Sequence, residues 1–262
     1  MTTKPKTELI HVAIKNLSVI WAQSQRPFNE KWANQIATDF DPDKFDPPLI
    51  TKPNGVGYYH IVDGQHRVNG AKIAFGENEQ LLCRMVDADD PARAAEIWLG
   101  INSGRKAIKP VQRFEVSVVA NRMPEMEINT LVKKIGYRIS PVRADHCISA
   151  VSSLIEVHRK FGIMILKATL LALDKTWPGD PAAFGGELIK GYAAFINEFH
   201  SYIDHKRLVE TIIKAFTPHK LLAAGRLYAQ QNMTTVVEGI AETIRSKYNY
   251  KMRDEKSKLR RK

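Results

Sequence analysis

A run of polar residues with the chemistry of an anion site lies at Asp63, Gly64, Gln65, His66 and Arg67. Gly64 lets a ligand approach the backbone closely, and the Arg67 guanidinium offers paired N–H donors to a phosphate or carboxylate. His66 is a candidate proton carrier, because the unperturbed pKa of histidine suits proton transfer near neutral pH. The structural alternative is an ordinary Asp-Gly turn in which Arg67 forms a salt bridge to Asp63.

These polar residues are predicted to join a strand to a helix. The segment 58–62 is β-branched and aromatic, as in a strand, and Gly76 is typical of a helix end. Asp63 is expected to cap the helix, whose free N–H groups in the first turn would favour an anion beside Arg67. The residues expected to pack this helix on the sheet are Val68, Ala71 and Phe75.

The elements around this unit are predicted from the same kinds of pattern. Asn29 is expected to cap a helix with Trp32 facing the core, and Pro91 starts a second helix. That second helix leads into a glycine-containing loop with Asn102 and Arg105, which would bring more polar groups to the same end of the sheet. Further strands are expected at 11–20, 47–51 and 81–86, and a further helix at 110–121.

Three segments resemble the ParB/sulfiredoxin family. Ile61-Val62-Asp63-Gly64-Gln65-His66-Arg67 is similar to its Gly-x-x-Arg box, and more closely to the Asp-Gly-Gln-His-Arg branch. Gln25-Arg26-Pro27-Phe28 resembles the Gln-x-Arg segment, and Ile101-Asn102-Ser103-Gly104-Arg105 resembles the Glu-Asn-x-x-Arg box. The resemblance covers about residues 10–120 and implies an α/β domain with a small mixed sheet.

The resemblance implies a nucleotide or a nucleic-acid phosphate as ligand. In nucleotide-binding relatives the arginine that matches Arg67 contacts the phosphates, and a nucleoside triphosphate with Mg²⁺ is the implied cofactor. The residues expected to bind the nucleotide or phosphate are Gly64, Gln65, His66, Arg67, Asn102, Arg105, Gln25 and Arg26.

Two positions depart from the pattern of the relatives. Sulfiredoxins have a nucleophilic cysteine where this chain has Gln65, so repair of peroxiredoxins is disfavoured. ParB proteins commonly have glutamate there, and a second glutamate, matching Ile101, helps to hold magnesium. Because Mg²⁺ usually needs a carboxylate, hydrolysis of CTP is in doubt and the metal ligands stay unassigned. The related Asp-Gly-His-His-Arg branch includes free-serine kinases, which keeps phosphotransfer by Asp63 and His66 open.

Charge and composition divide the chain further. Of a net charge of +11, the segment 245–262 contributes nine Lys/Arg and two acids. A basic tail of this kind suits DNA, and a solvated, solubilising terminus is the alternative. The residues expected to bind DNA are Arg245, Lys247, Lys251, Arg253, Lys256, Lys258, Arg260, Arg261 and Lys262. No apolar run approaches the length of a membrane span and no hydrophobic signal core is present, so a cytoplasmic protein with no membrane partner is expected.

The sequence therefore predicts an α/β N-terminal ParB/sulfiredoxin-like domain with a small mixed sheet at 1–122, an all-helical C-terminal domain at 123–247 and a basic tail at 248–262. The favoured function is a DNA-associated, ParB-like protein of bacterial or phage type that binds a nucleotide. A nucleotide-dependent phosphotransferase, an NTPase, a nuclease and a partner-binding assembly protein are alternatives, and a homodimer is left open. Within the helical part, 128–155 is a candidate for a degenerate helix-turn-helix, although the turn after Gly136 is long.

Overall fold

The structure is a computed structural model that describes residues 8–104, 109–250, 252 and 258–260. By its internal contacts the chain divides into two compact units, with the boundary between Arg122 and Met123. They are called the N-terminal unit and the C-terminal unit below.

The centre of the N-terminal unit is a five-stranded mixed sheet. Its strands are β1 (Glu8–Ala13), β2 (Leu17–Ser18), β3 (Leu49–Pro53), β4 (Tyr59–Asp63) and β5 (Gln80–Met85). Their order across the sheet is β1-β5-β3-β4-β2. The pairs β1–β5 and β3–β4 are antiparallel, whereas β3–β5 and β2–β4 are parallel. The expectation of a small mixed sheet in an α/β unit is therefore confirmed.

Helices cover both faces of this sheet. They are α1 (Glu30–Thr38), α2 (Gln65–Phe75), α3 (Pro91–Ile101) and α4 (Pro110–Val119). Because side chains alternate along a strand, Ile61 belongs to a core cluster with Val68 of α2, while its neighbour Val62 belongs to a cluster with Trp98 of α3. The end of β4, where α2 begins, is thus fixed from both faces of the sheet.

Two predicted core contacts are wrong. Trp32 of α1 is 46% exposed and Phe75 of α2 is 52% exposed. For Trp32 the cause is the close crossing of α1 over α2 at Gly70, where an added Cβ would lie 2.6 Å from Cγ2 of Ile36. With Ala33 and Ile36 facing α2, the Trp32 side chain is rotated away from the core and towards the start of α2.

The C-terminal unit is mainly helical. Its helices are α5 (Glu125–Lys134), α6 (Val151–Thr176), α7 (Gly186–Phe199), α8 (His205–Ala215), α9 (Pro218–Gln231) and α10 (Val236–Asn249). Short strands β6 (Arg138–Ile139) and β7 (Cys147–Ile148) pair in parallel between α5 and α6. This strand pair replaces the turn of a helix-turn-helix, so the candidate motif at 128–155 is not formed. Within α6 the backbone is non-helical at Gly162 (φ 82°), which divides the element into two helical segments.

The last described residues fold back on α10. Leu259 is 3% exposed, and the Asn249 carboxamide bonds to both of its backbone groups, with each N···O distance 2.9 Å. Arg245 also donates to the Leu259 carbonyl at 3.3 Å and forms a bidentate pair with buried Glu242. We call these residues the Leu259 anchor.

Two further findings bear on the function class. Within the ranges that the structure describes, no helix is long and apolar enough to span a bilayer. Cys83 and Cys147 are both buried free thiols, and burial raises the pKa of Cys83 to about 12.

Candidate functional site

The polar residues singled out in the N-terminal unit surround one cleft of about 310 Å³. Its walls come from the segment before α1, from the turn between β4 and α2, and from the end of α3. The lining residues are Gln25, Arg26, Trp32, Asp63, Gly64, Gln65, His66, Arg67, Trp98 and Asn102. Arg105 lies outside the described residues. Apart from Arg105, every predicted nucleotide-binding or phosphate-binding residue lines this cleft.

The turn at the bottom of the cleft is made by a left-handed glycine. Gly64 is the N-cap residue of α2, with φ 100° and no side-chain hydrogen bond to the helix. The prediction that Asp63 caps the helix is therefore wrong, because its carboxylate accepts from Arg67 at 3.1 Å instead. An added Cβ at Gly64 would lie 3.0 Å from both Nη2 of Arg67 and Cβ of Pro48, so the position needs glycine for space as well as for conformation.

Arg67 is already neutralised by the protein itself. It pairs with Asp63, donates to the Asp46 carbonyl at 2.8 Å and lies 3.5 Å from the Asp46 carboxylate. The structural alternative, a salt bridge to Asp63, is therefore formed. The guanidinium still lines the cleft, but a phosphate would have to share it with these two acids.

Side chains of β4 and α2 hold the segment that precedes α1. Gln65 donates to the Arg26 carbonyl at 2.6 Å, and Gln25 donates to the Ile61 carbonyl at 2.7 Å. His60 accepts from the Ile20 backbone N–H through Nδ1 at 2.9 Å. The bonds from Gln65 and to His60 pair backbone groups of this segment, and the bond from Gln25 ties the segment to β4. The predicted ligand Gln65 therefore has a positioning role.

His66 completes this attachment and is held as the neutral ring. Its Nε2 accepts from the Asn29 backbone N–H at 2.9 Å, which places the ring proton on Nδ1. Burial, reinforced by the charge of Arg26, lowers the pKa of His66, and Asp63 opposes this effect. Proton transfer through Nε2, as predicted for a catalytic His66, would first break the bond to Asn29.

Arg26 has the chemistry of an anion-binding group. It is partly buried, and among the described residues it has no carboxylate within ion-pair distance. Its one hydrogen-bond partner there is Oδ1 of Asn102, at a long 3.4 Å. The guanidinium carbon lies 5.6 Å from the ring centroid of Trp32 and 5.8 Å from that of Trp98. A cation held in this way keeps most of its donors for a ligand.

Sequence reasoning missed the aromatic part of the cleft. Trp32 and Trp98 both have helical spacing to apolar neighbours, which predicts core positions, and only Trp98 is buried, at 1% exposed. Asn102 is positioned by donating to the Trp98 carbonyl at 2.9 Å. The sequence did hold a signal for Trp32: it lies three residues after the capping Asn29 and four after Phe28, in the first turn of a helix that faces the predicted ligand site.

The carboxylates expected of a metal site are scarce. Within the described parts of the chain, no group of three or more His, Cys, Asp or Glu residues could hold a metal ion. Asp63 is the carboxylate that lines the cleft, and it pairs with Arg67. The residues present therefore fit the phosphate groups of a nucleotide better than they fit Mg²⁺.

The predicted DNA-binding residues are dispersed. Arg245 belongs to α10 and to the Leu259 anchor, so it is not a tail cation. Lys247 also lies in α10, with its ammonium 4.9 Å from the ring of Tyr250. Lys258 and Arg260 flank the buried Leu259. Lys251, Arg253, Lys256, Arg261 and Lys262 lie outside the described residues.

The fold and the cleft define a class of protein: a mixed α/β unit with a cationic, tryptophan-lined cleft, joined to a unit that is mainly helical. The chain belongs to the family of unknown function DUF6551, which matches residues 21–260. This match includes both units. A comparison with curated proteins gave no significant relative.

Two similar solved structures are of the chromosome-partitioning protein ParB from Caulobacter crescentus, truncated at the C-terminus. The first is a complex with CTP-γ-S, 15% identical, covering 90% of this chain and 98% of that chain with a TM-score of 0.31. The second is a complex with the centromeric parS site, 18% identical, covering 80% and 95% with a TM-score of 0.36. At such scores the likeness carries no argument about this chain.

Proposed function

We propose that the N-terminal unit binds the phosphate groups of a nucleotide in the cleft, in the manner of a ParB/sulfiredoxin-like domain. The observation that carries the proposal is Arg26, a partly buried cation without a carboxylate partner among the described residues. Burying a charge is costly unless it is paired, so an anion that enters the cleft would stabilise Arg26.

The start of α2 adds to this attraction. Gly64, in its left-handed conformation, leaves the N–H groups of the first turn without a side-chain cap. Helix N-termini of this kind favour anions, because the unpaired N–H groups and the helix dipole act in the same direction. Arg26 and the start of α2 line the same cleft, which supports a single phosphate site with Arg67 as a shared partner.

Binding is favoured over hydrolysis as the activity of this site. Gln65 and His66 are engaged in holding the backbone at Arg26 and Asn29, and Asp63 is paired with Arg67. An enzyme would need a free base or a metal ligand set. The phosphotransferase, NTPase and nuclease alternatives therefore have less support than nucleotide binding.

The C-terminal unit and the basic tail are proposed to associate with DNA, as the sequence predicts. The support is the excess of Lys and Arg near the end of the chain. Arg245 is excluded from this role by its pairing with Glu242. The remaining cations from Lys247 onwards would contribute affinity that does not depend on base sequence.

The test of the nucleotide site is Arg26→Gln. Charge-assisted hydrogen bonds contribute about 1.5–3 kcal/mol, so we expect the variant to bind nucleoside triphosphates about 10- to 150-fold more weakly by titration calorimetry. Arg113→Gln is the matched control, since Arg113 is exposed on α4 and does not line the cleft. Equal affinities for the wild-type and Arg26→Gln proteins would refute the assignment.

A thermal-shift screen gives a second measurement. A ligand that binds only the folded protein must raise the melting temperature, so each common nucleoside triphosphate is tested with and without Mg²⁺. We expect stabilisation that does not require Mg²⁺. Stabilisation only in the presence of Mg²⁺ would mean that the protein holds the metal with residues other than those of the described cleft.

A further inference from the structure

Trp32 has an unusual combination of exposure and order. The residue is 46% exposed and lines the cleft, yet its ring is held in place by the ring of His66, whose centroid is 4.3 Å away. Its backbone N–H donates to the capping side chain of Asn29 at 3.2 Å. A large aromatic surface that is fixed but still exposed in a cleft is suited to stacking against a flat ligand.

Arg26 adds a second flat surface next to Trp32. A guanidinium is planar and stacks on aromatic rings, and here its central carbon is within 6 Å of the Trp32 and Trp98 centroids. The cleft thus combines a cation, two indole rings and the uncapped start of α2. The common biological ligands that have both an anionic group and a flat aromatic ring are nucleotides.

We propose that Trp32 forms a nucleobase subsite beside Arg26, with the phosphates of the same ligand at Arg26 and the start of α2. This inference rests on the proposed phosphate site. It identifies the base as the part of the ligand by which the cleft would distinguish a nucleotide from other phosphates. A cleft of about 310 Å³ is at the small end of the range for ligand pockets, so the ligand is a single nucleotide, not an oligonucleotide.

The experiment compares ligands with and without a base. Titration calorimetry is done with the four ribonucleoside triphosphates, with inorganic tripolyphosphate and with ribose 5-phosphate. We expect at least one triphosphate to bind the wild-type protein more tightly than tripolyphosphate. Stacking of a base on an aromatic side chain is worth about 5- to 150-fold in affinity, and Trp32→Leu should abolish that advantage.

Three variants make the result specific. Trp32→Leu should bind tripolyphosphate as the wild type does, which also shows that it is folded, and Trp32→Phe should recover part of the preference for a base. Tyr58→Leu is the matched control, because Tyr58 is 45% exposed in the same unit but does not line the cleft. It should bind every ligand like the wild type.

The outcomes separate the two proposals. If nucleoside triphosphates bind no better than tripolyphosphate, the base subsite is refuted and the phosphate site stands. If none of these anions binds, both are refuted. Tighter binding of a single-stranded hexanucleotide than of any single nucleotide would refute the assignment to a mononucleotide.

Discussion

Lowering the pH should loosen the segment that carries Arg26, and His60 is the group that sets the pH range. His60 is fully buried, and its Nδ1 accepts from the backbone N–H groups of Ile20 at 2.9 Å and Trp21 at 3.3 Å. Burial lowers the pKa of His60 from 6.5 to about 4. Between these values the unfolded chain takes up a proton that the folded chain does not.

This difference in proton binding makes the free energy of unfolding depend on pH. The contribution of His60 is fully present above about pH 6.5, falls as the pH drops towards 4, and is constant below that. A pKa change from 6.5 to about 4 limits the loss in the free energy of unfolding to about 3 kcal/mol. We expect a loss of about 1–2 kcal/mol between pH 6.5 and 4.5. Burial also lowers the pKa of His66, so its effect has the same sign.

The assay is urea unfolding of the wild type and His60→Asn at several pH values. Asparagine offers an oxygen in place of Nδ1 that can accept from Ile20 but does not titrate in this range. The variant should therefore lose about 1–2 kcal/mol less stability than the wild type on acidification. If the two stability curves run parallel, or if NMR finds that His60 of the folded protein titrates near its ordinary pKa, the reasoning fails.

Two further predictions concern the turn and the tail. Gly64→Ala should destabilise the N-terminal unit by about 1–3 kcal/mol in urea unfolding, because the new Cβ meets a positive φ and crowds Arg67. Gly55→Ala, with nothing within 4 Å of its Cβ, should change little, and equal effects of the two changes would contradict this explanation. In the tail, five cations are replaced by Gln (Lys251, Arg253, Lys256, Arg261 and Lys262), and every residue of the Leu259 anchor is kept. In fluorescence anisotropy on duplex DNA, this should make the slope of log affinity against log salt shallower by roughly 4, whereas parallel slopes would mean that these cations do not contact phosphates.

The sequence predicted most regular elements of the N-terminal unit, because their periodicity and end signals are local. The strand expected at 11–20 is instead divided into β1 and β2 by a 3-10 turn at Ile14–Asn16, and the two strands lie at opposite edges of the sheet. The strand before Gly64, the helix ending at Gly76 and the proline start at Pro91 all occur as expected within one or two residues. The exposure of Trp32 could not be predicted, since it depends on how α1 crosses α2 at Gly70. Helical spacing alone does not specify which helix face is covered by a neighbour.

The partners of the charged residues were harder to predict than the cleft itself. That Gln25, Asp63 and Asn102 lie together follows from strand and helix order. Arg67 is paired with Asp63 and Asp46, whereas Arg26 has no carboxylate partner in the described part of the chain. Asp46 is a loop residue, and no sequence pattern indicates its position. Pairing of charges is decided by tertiary distances of a few ångströms, and these are not encoded in the spacing of a motif.

The Leu259 anchor limits how far the cations beside it can reach towards a polyanion. Asn249 and Leu259 are ten positions apart in the sequence, yet the Asn249 side chain bonds to both backbone groups of Leu259. Lys258 and Arg260, on either side of Leu259, are therefore held beside the end of α10. Without the anchor, a fully extended chain from Asn249 to Arg260, eleven residues further on, would reach about 36 Å. The distance at which these two cations can meet a polyanion is therefore set by the burial of one leucine, and a substitution such as Leu259→Ser would increase it without altering the charge.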